Sequence, residues 1–239
     1  MRQALSFLTP FGGGRSVTPA AVAWFPVVGL LIGAALGGIW WSCQLEWPPG
    51  VVAGIVVACD LAFTGMLHMD GLVDTADGIF LHGSPARRLE VMARSDVGAY
   101  GVAAGAAALI LRWAALVAVR PDVLLLAGIW AGSRGLMGLV TSLTPYARAE
   151  GGLASAFLPA RGSGAPGWIA GALGGVLALG ATLAWRPLAG GVALAAGLAA
   201  GLGVAALARR RLGGFTGDVL GAAGVVMETV ALVVAAGRW

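Results

Sequence analysis

The sequence predicts an all-α integral membrane protein, a polytopic bundle of about seven transmembrane helices that forms a single domain over residues 1–239. Hydrophobic residues make up 59% of the chain and charged residues only 11%, whereas about a quarter of the residues in a soluble domain are charged. The apolar residues also occur in runs long enough to cross about 30 Å of hydrocarbon. The composition therefore excludes a soluble domain and predicts that the chain is embedded in a lipid bilayer.

The predicted spans follow one another along the chain with short polar connections. They cover residues 20–42, 51–68, 98–119, 123–142, 167–184, 188–208 and 218–237. The first has no cleavable signal pattern before it, so we expect it to remain as an anchor. Three residues separate the third span from the fourth, and three separate the fifth from the sixth, which leaves those boundaries open. The many glycines and alanines fit spans whose backbones approach closely in lipid.

The distribution of arginine predicts the orientation of the spans, because arginine supplies all 15 basic residues. Cytoplasmic segments of membrane proteins carry an excess of positive charge. If the N-terminus is cytoplasmic, the cytoplasmic segments contain Arg2, Arg15, Arg87, Arg88, Arg94, Arg148, Arg161, Arg209, Arg210 and Arg211, and the opposite side only Arg120, Arg186 and Arg238. Segments 69–97, 143–166 and 209–217 then share the cytoplasmic face, where one active site can form. The net charge of +4 follows from this topology, and no pattern indicates nucleic-acid binding.

The most informative motif is acidic. Residues 67–78, LHMDGLVDTADG, place Asp70, Asp74 and Asp77 within eight residues of a chain that otherwise has few charges. Carboxylates at i, i+4 and i+7 share one face of a helix, and a divalent cation with oxygen ligands relieves their repulsion. The spacing predicts a Mg²⁺ site held by these three aspartates. A solvated acidic loop is the alternative.

Polar residues inside predicted spans are costly in lipid and are often functional. Asp60, Thr64 and His68 are four residues apart and share a face of the second span, which leads into the acidic motif. His68 is a candidate catalytic residue, as an acid, a base or a hydrogen-bond donor to phosphate, and capping the span is its alternative role. Asp60 either contacts metal or substrate or pairs with Arg134. Glu228 either lines the site or pairs with an arginine.

Later polar segments supply groups suited to phosphate. Arg94 and Ser95 offer a guanidinium and a hydroxyl, and Arg148 offers a second forked donor. Thr216 and Asp218 add a hydroxyl and a carboxylate in a glycine-containing loop before the last span. We expect these five residues to bind substrate in a phosphoryl-type transfer. The sequence has no Walker A loop, serine-triad pattern or HExxH motif, which argues against nucleotide-driven pumping, acyl transfer and zinc proteolysis.

The chain closely resembles the cobalamin synthase family, the adenosylcobinamide-GDP ribazoletransferases, over most of its length. The resemblance rests on four segments in order, HMDGLVDTADG, LEVMARSDVGAYG, PYAR and GGFTGDVLGA, at residues 68–78, 89–101, 145–148 and 213–222. Family members often place a basic residue, Asp, Ser and Arg after the methionine of the second segment. Here the two charges are exchanged, so the roles of Arg94 and Asp96 stay open.

The resemblance implies a Mg²⁺-dependent enzyme of the cell inner membrane that assembles the nucleotide loop of cobalamin. It implies transfer of the cobinamide phosphate of adenosylcobinamide-GDP to α-ribazole or its 5′-phosphate, giving adenosylcobalamin or its 5′-phosphate and GMP. In this scheme the 3′-hydroxyl of the ribazole attacks the phosphate, Asp70, Asp74 and Asp77 hold the metal, and Asp77 is the candidate base. Association with other enzymes of the corrinoid pathway is a further expectation.

Two other functions are weighed against this one. A CDP-alcohol phosphotransferase also uses membrane aspartates to displace a nucleoside monophosphate, but its motif continues with Ala-Arg, which Asp70-Gly71 lacks. An ion-coupled transporter would place polar groups near the midplane of several spans. Most of the informative polar residues here cluster at one predicted face, which favours an enzyme.

Overall fold

The computed structural model describes residues 1–13, 18–148, 151–152, 154–155 and 164–238, and these residues form ten α-helices. The helices are α1 (Arg2–Leu8), α2 (Phe25–Cys43), α3 (Pro49–Phe63), α4 (Leu67–Phe80), α5 (Pro85–Val91), α6 (Ala99–Ala118), α7 (Val123–Leu143), α8 (Ala165–Trp185), α9 (Pro187–Leu212) and α10 (Gly217–Ala235). A 3₁₀ segment, Pro19–Trp24, leads directly into α2. The predicted all-α class is confirmed.

Six of these helical segments are long and apolar enough to cross a membrane: Pro19–Cys43, α6, α7, α8, α9 and α10. A seventh arises if α3 and α4 are joined as one broken span, although the two helices are bent by 87° from one another. The prediction of about seven spans is therefore confirmed, within the described part of the chain. The second predicted span, 51–68, is wrong at its end, because α3 stops at Phe63.

The bend after α3 is a local backbone feature. Thr64 is the C-terminal cap of α3, and its hydroxyl donates to the carbonyl of Asp60 at 2.8 Å. Gly65 and Met66 follow with φ angles of 56° and 59°, the left-handed region that a helix does not use. The chain is thereby redirected, and α4 lies outside the six spans and packs against α6 and α10 near the residues where those helices begin.

Close backbone approach holds the bundle together around α7, the most buried of the spans. A Cβ added to Gly135 of α7 would lie 2.8 Å from the Cα of Gly174 in α8. This distance is shorter than real Cβ contacts allow, so the two helices can cross this closely only where both residues lack a side chain. The predicted role of the abundant glycine in helix packing fits this contact.

The polar connections meet at one end of the bundle, called here the site end. The backbones of Tyr146 and Phe215 form an isolated parallel bridge there, which joins the α7–α8 and α9–α10 connections. Asp77 of α4 accepts hydrogen bonds from the start of α6. The three segments that the arginine pattern groups on one membrane face are therefore neighbours in the structure, as far as their residues are described.

Candidate active site

A cavity of about 310 Å³ at the site end brings together residues from widely separated parts of the chain. The acids, arginines and histidine that line it are His68, Asp74, Arg94, Arg148 and Asp218. We call it the site cavity. All five of these residues were selected from the sequence, and the fold gathers them although they are spread over 150 positions of sequence.

The bridge between the two loops sets the position of Arg148. The Ala147 N–H donates to the Phe215 carbonyl at 2.8 Å, and the Phe215 N–H donates to the Pro145 carbonyl at 2.9 Å. Arg148 follows directly, and its Nη2 lies 3.1 Å from Oδ2 of Asp218. A cation and a carboxylate therefore face the same cavity as a half-buried pair.

Thr216 fixes the other side of this pair. Its hydroxyl oxygen accepts the Val219 N–H at 3.3 Å, which caps the start of α10. The same hydroxyl donates to Oδ2 of Asp218 at 3.2 Å. Thr216 is buried, so in this structure it orients Asp218. Contact with substrate, its predicted role, stays a prediction.

The acidic helix α4 packs closely against Asp218 of α10 because the residue at the contact, Gly71, has no side chain. A Cβ on Gly71 would lie 2.8 Å from the carbonyl oxygen of Asp218, so only glycine permits this approach of α4 to α10. Asp70 and Asp74, one helical turn apart, are thereby brought beside Asp218. Burial, followed by the negative charges of Asp70 and Asp218, raises the pKa of Asp74 to about 7. Such crowding of carboxylates favours a cation between them.

Asp77 has different surroundings from Asp74. Its Oδ2 accepts the Gly98 N–H at 2.7 Å and its Oδ1 accepts the Gly101 N–H at 2.9 Å. These are unpaired amides at the start of α6, so Asp77 acts as the cap of that helix. It is buried and does not line the site cavity. Its predicted roles as metal ligand and base stay predictions.

His68 lines the site cavity, and one of its ring nitrogens has no partner in the described part of the chain. Its Nδ1 lies 3.3 Å from Nη2 of Arg134. Because a guanidinium can only donate, Nδ1 must accept, and the proton of the neutral ring is then on Nε2. His68 is 5% exposed, and Nε2 has no hydrogen-bond partner in the described part of the chain. A phosphate or hydroxyl oxygen of a ligand would satisfy it.

The segment after α5 forms the rim of the cavity. Arg94 is exposed and its Nη2 lies 3.2 Å from Oε1 of Glu90, one helical turn earlier. Arg87 and Arg94 beside it lower the pKa of the Glu90 carboxyl below its ordinary value. Ser95 is exposed next to Arg94. Arg94 is therefore exposed at the edge of the cavity that it lines.

Two aromatic residues of the site, Tyr146 and Phe7, are not among the site residues predicted from the sequence, although Tyr146 lies in the PYAR segment. Tyr146 packs edge-on against Phe215, with 5.4 Å between ring centroids, and its hydroxyl donates to the Gly151 carbonyl at 2.9 Å. Burial raises the pKa of this phenol. Phe7 of α1 also lines the cavity, which places the N-terminal helix at the site end.

A buried ion-pair network lies beneath the site cavity. Arg112 pairs with Oδ2 of Asp60 at 2.6 Å and with Oε2 of Glu228 at 2.5 Å. Glu228 also accepts hydrogen bonds from Arg134, the residue that contacts His68. The predicted pairing of Glu228 with an arginine is confirmed. The alternative that paired Asp60 with Arg134 is wrong, because Arg112 of α6 lies closer to that carboxylate and neutralises it.

Protein side chains alone do not form the predicted metal site in the described part of the chain. In the described part of the chain, no three His, Cys, Asp or Glu side chains come together closely enough to hold a metal by themselves. Mg²⁺, however, is commonly held by one or two carboxylates and completes its shell with water and substrate phosphate. Asp70 and Asp218, on either side of the Gly71 contact, have the oxygen chemistry for such a site.

Fold and site together define a class: a polytopic membrane protein with a cavity of acids and arginines, suited to phosphate and a divalent cation, at one end of its helical bundle. The family model described as cobalamin-5-phosphate synthase matches residues 1–236. The chain therefore belongs to the cobalamin-5-phosphate synthase family.

Curated relatives agree with this assignment. The chain is 39% identical to the adenosylcobinamide-GDP ribazoletransferase of Bradyrhizobium diazoefficiens, over 99% of this chain and 92% of the relative. It is 36% identical to that of Chlorobium chlorochromatii, over 98% and 94%, and 39% identical to that of Syntrophobacter fumaroxidans, over 98% and 96%. No solved structure matches the chain.

Proposed function

We propose that the protein transfers the cobinamide phosphate of adenosylcobinamide-GDP to α-ribazole or α-ribazole 5′-phosphate. The products are adenosylcobalamin or its 5′-phosphate and GMP, which is the nucleotide-loop assembly step of cobalamin biosynthesis. Membership of the family and the names of the relatives support this activity. The observation that carries it is the convergence of His68, Asp74, Arg148 and Asp218 on one cavity at the end of a membrane bundle.

The reaction exchanges a phosphoanhydride bond for a phosphate ester bond. The ribazole 3′-hydroxyl oxygen forms a bond to the phosphorus attached to the cobinamide arm. The bond from that phosphorus to the bridging oxygen of the diphosphate breaks, and GMP leaves with the electron pair. The hydroxyl proton must pass to a base. No covalent enzyme intermediate is required.

The chain's donors would neutralise the diphosphate. Arg148 contributes a guanidinium that is half-buried, and its Nε has no partner among the described residues. Nε2 of His68 contributes a second donor from the buried side of the cavity, and Arg94 a third from its rim. Donors fixed in place before the reaction stabilise the charge that develops on the phosphoryl oxygens.

We assign the base to Asp74. It lines the cavity, whereas both oxygens of the sequence-based candidate, Asp77, already accept amide hydrogens. A pKa of about 7 also suits a proton acceptor at neutral pH. Asp70 and Asp218 would hold Mg²⁺, which when bound neutralises phosphate charge. This set differs from the predicted Asp70, Asp74 and Asp77.

The inner membrane and a cytoplasmic site are part of the proposal. The described site-end segments carry Arg87, Arg88, Arg94, Arg148 and Arg209–Arg211, and such an excess of positive charge is typical of the cytoplasmic side. Association with other enzymes of the corrinoid pathway would supply the large substrate at that surface.

The test is GMP release by the purified protein in detergent, where no membrane gradient exists. We expect release when adenosylcobinamide-GDP, α-ribazole 5′-phosphate and Mg²⁺ are all present, with cobalamin phosphate formed in equal amount. Omission of the acceptor is the control, and release should then stop. Folded protein that releases no GMP, or releases it without the acceptor, would contradict the proposed transfer.

A further inference from the structure

A second cavity, of about 300 Å³, lies against another face of α4 from the one that carries Asp74. Helices α4, α6, α9 and α10 surround it, and its lining is almost wholly aliphatic. Phe80 and Leu111 line it and are 54% and 46% exposed, so the cavity opens sideways between helices. We call it the lateral groove. Because α6, α9 and α10 are candidate spans, the groove opens toward hydrocarbon.

The groove has the depth of an extended chain. Its lining runs from Ala104 to Leu111 on α6 and from Ala222 to Val230 on α10. At 1.5 Å per residue the longer stretch spans about 12 Å along the bundle. Both stretches begin about one and a half turns from the site end, so the groove starts just below the membrane surface. An acyl chain that descends from that surface would follow it.

One polar group in the groove lacks a partner. Thr75 of α4 lines the groove and is 3% exposed, and its Oγ1 has no hydrogen-bond partner in the described part of the chain. An unpaired hydroxyl in an apolar cavity costs free energy. A ligand with an acceptor at this depth, such as an ester carbonyl, would satisfy it.

A positive charge lies at the end of the groove nearest the site end of the bundle. Val204 and Leu207 line the groove on α9, and Arg211 lies seven and four residues further along, on the same helix face. Arg211 is exposed, and no described carboxylate lies within ion-pair distance of it. Its position complements a phosphate at the membrane surface.

We propose that the lateral groove binds one anionic phospholipid. An acyl chain fills the groove, Thr75 donates to an ester carbonyl, and Arg211 pairs with the headgroup phosphate. A zwitterionic lipid offers the same chain and carbonyl, but its own cation competes for the phosphate. The lateral groove is separate from the site cavity, and the lipid takes no part in the transfer reaction.

Native mass spectrometry of the full-length protein, released from detergent with phosphatidylglycerol or phosphatidylcholine, tests this site. Wild type should retain one phosphatidylglycerol in preference to phosphatidylcholine. Ala108→Phe fills the groove and should abolish retention. Arg211→Gln should lower it about fivefold, as expected for one arginine near a charged membrane surface. Thr75→Val, which is nearly isosteric and should fold normally, should also lower it.

Two control variants separate a seated lipid from general attraction. Ala107→Phe adds the same bulk to α6 at an exposed position outside the groove lining. Arg209→Gln removes the same charge from the same run, on roughly the opposite side of α9. Both should retain phosphatidylglycerol like wild type. Equal retention of the two lipids, equal loss in Arg209→Gln and Arg211→Gln, or normal retention in both Ala108→Phe and Thr75→Val would overturn the proposal.

Discussion

At the scale of single residues, Asp74 and Asp77 look alike in the sequence, but they lie in different surroundings. Asp74 lines the site cavity next to other carboxylates. Asp77 accepts two backbone amides at the start of α6. Helical spacing could predict that both acids lie near one face of α4. It could not reveal that Asp77 already accepts two hydrogen bonds, because the donors are the main-chain amides of Gly98 and Gly101, which no side chain in the sequence indicates.

Asp77→Asn should therefore affect stability more than chemistry. An amide can accept only one of the two N–H groups through its oxygen, so we expect a loss of about 1 kcal/mol of stability. Activity per folded molecule should stay within about threefold of wild type, since no cavity-lining group is changed. Thermal unfolding in detergent and GMP release measure the two effects. A variant with wild-type stability and no activity would contradict this and would show that Asp77 takes part in the reaction.

The pKa of Asp74 predicts a pH dependence. The carboxyl accepts a proton in the reaction only when it is ionised, so activity should fall as the pH drops through the pKa, which is about 7 without a cation. A bound cation favours the ionised form and should shift the midpoint downward. Rates measured from pH 5.5 to 8.5 at low and high Mg²⁺ test this. If the pH midpoint of activity is the same at low and high Mg²⁺, Asp74 does not lie close to the bound cation.

At the scale of helices, close contacts set the geometry of the site. Hydropathy predicts the spans well because it reports apolar length, and it fails at residues 64–66 because the bend there depends on two left-handed backbone angles. It also could not show that α4 packs against α10 through Gly71. Glycine is abundant throughout the chain, so the sequence does not indicate which glycines make such contacts.

Gly71→Ala tests the contact between α4 and α10. The added Cβ would lie 2.8 Å from the carbonyl oxygen of Asp218, so the helices must separate by several tenths of an ångström. We expect at least a tenfold loss of GMP release, because misplacement of catalytic groups is costly. Gly54→Ala on α3 is the matched control, since its Cβ would meet nothing within 4 Å. Equal activity of the two variants would contradict the importance of this contact.

At the scale of the whole molecule, the ion-pair network links α3, α6, α7 and α10 beneath the site. Asp60, Glu228 and Arg134 could be selected from the sequence as polar residues in spans. Arg112 also lies within a predicted span, 98–119, but the sequence does not identify its partners, because Asp60 and Glu228 are 52 and 116 positions away. Arg112 joins both acids, and Arg134 extends the network to His68.

Removal of Arg112 should destabilise the fold. Arg112→Met leaves Asp60 without its ion-pair partner and Glu228 with one arginine in place of two, so we expect a loss of about 3 kcal/mol or more. Arg120→Met removes an exposed arginine beyond the end of α6 and should change stability by less than about 0.5 kcal/mol. Unfolding of both variants in detergent gives the comparison. Equal stability would show that the network contributes little.

The central claim is that the site cavity carries out the transfer, and single-turnover GMP release tests it most directly. Wild type, Asp74→Asn and Asp122→Asn are compared with saturating adenosylcobinamide-GDP, α-ribazole 5′-phosphate and Mg²⁺. Asp122 caps α7 at the opposite end of the bundle, and asparagine caps equally well. We predict normal release by Asp122→Asn and a loss of about a hundredfold or more in folded Asp74→Asn. Wild-type rates in Asp74→Asn would contradict the claim.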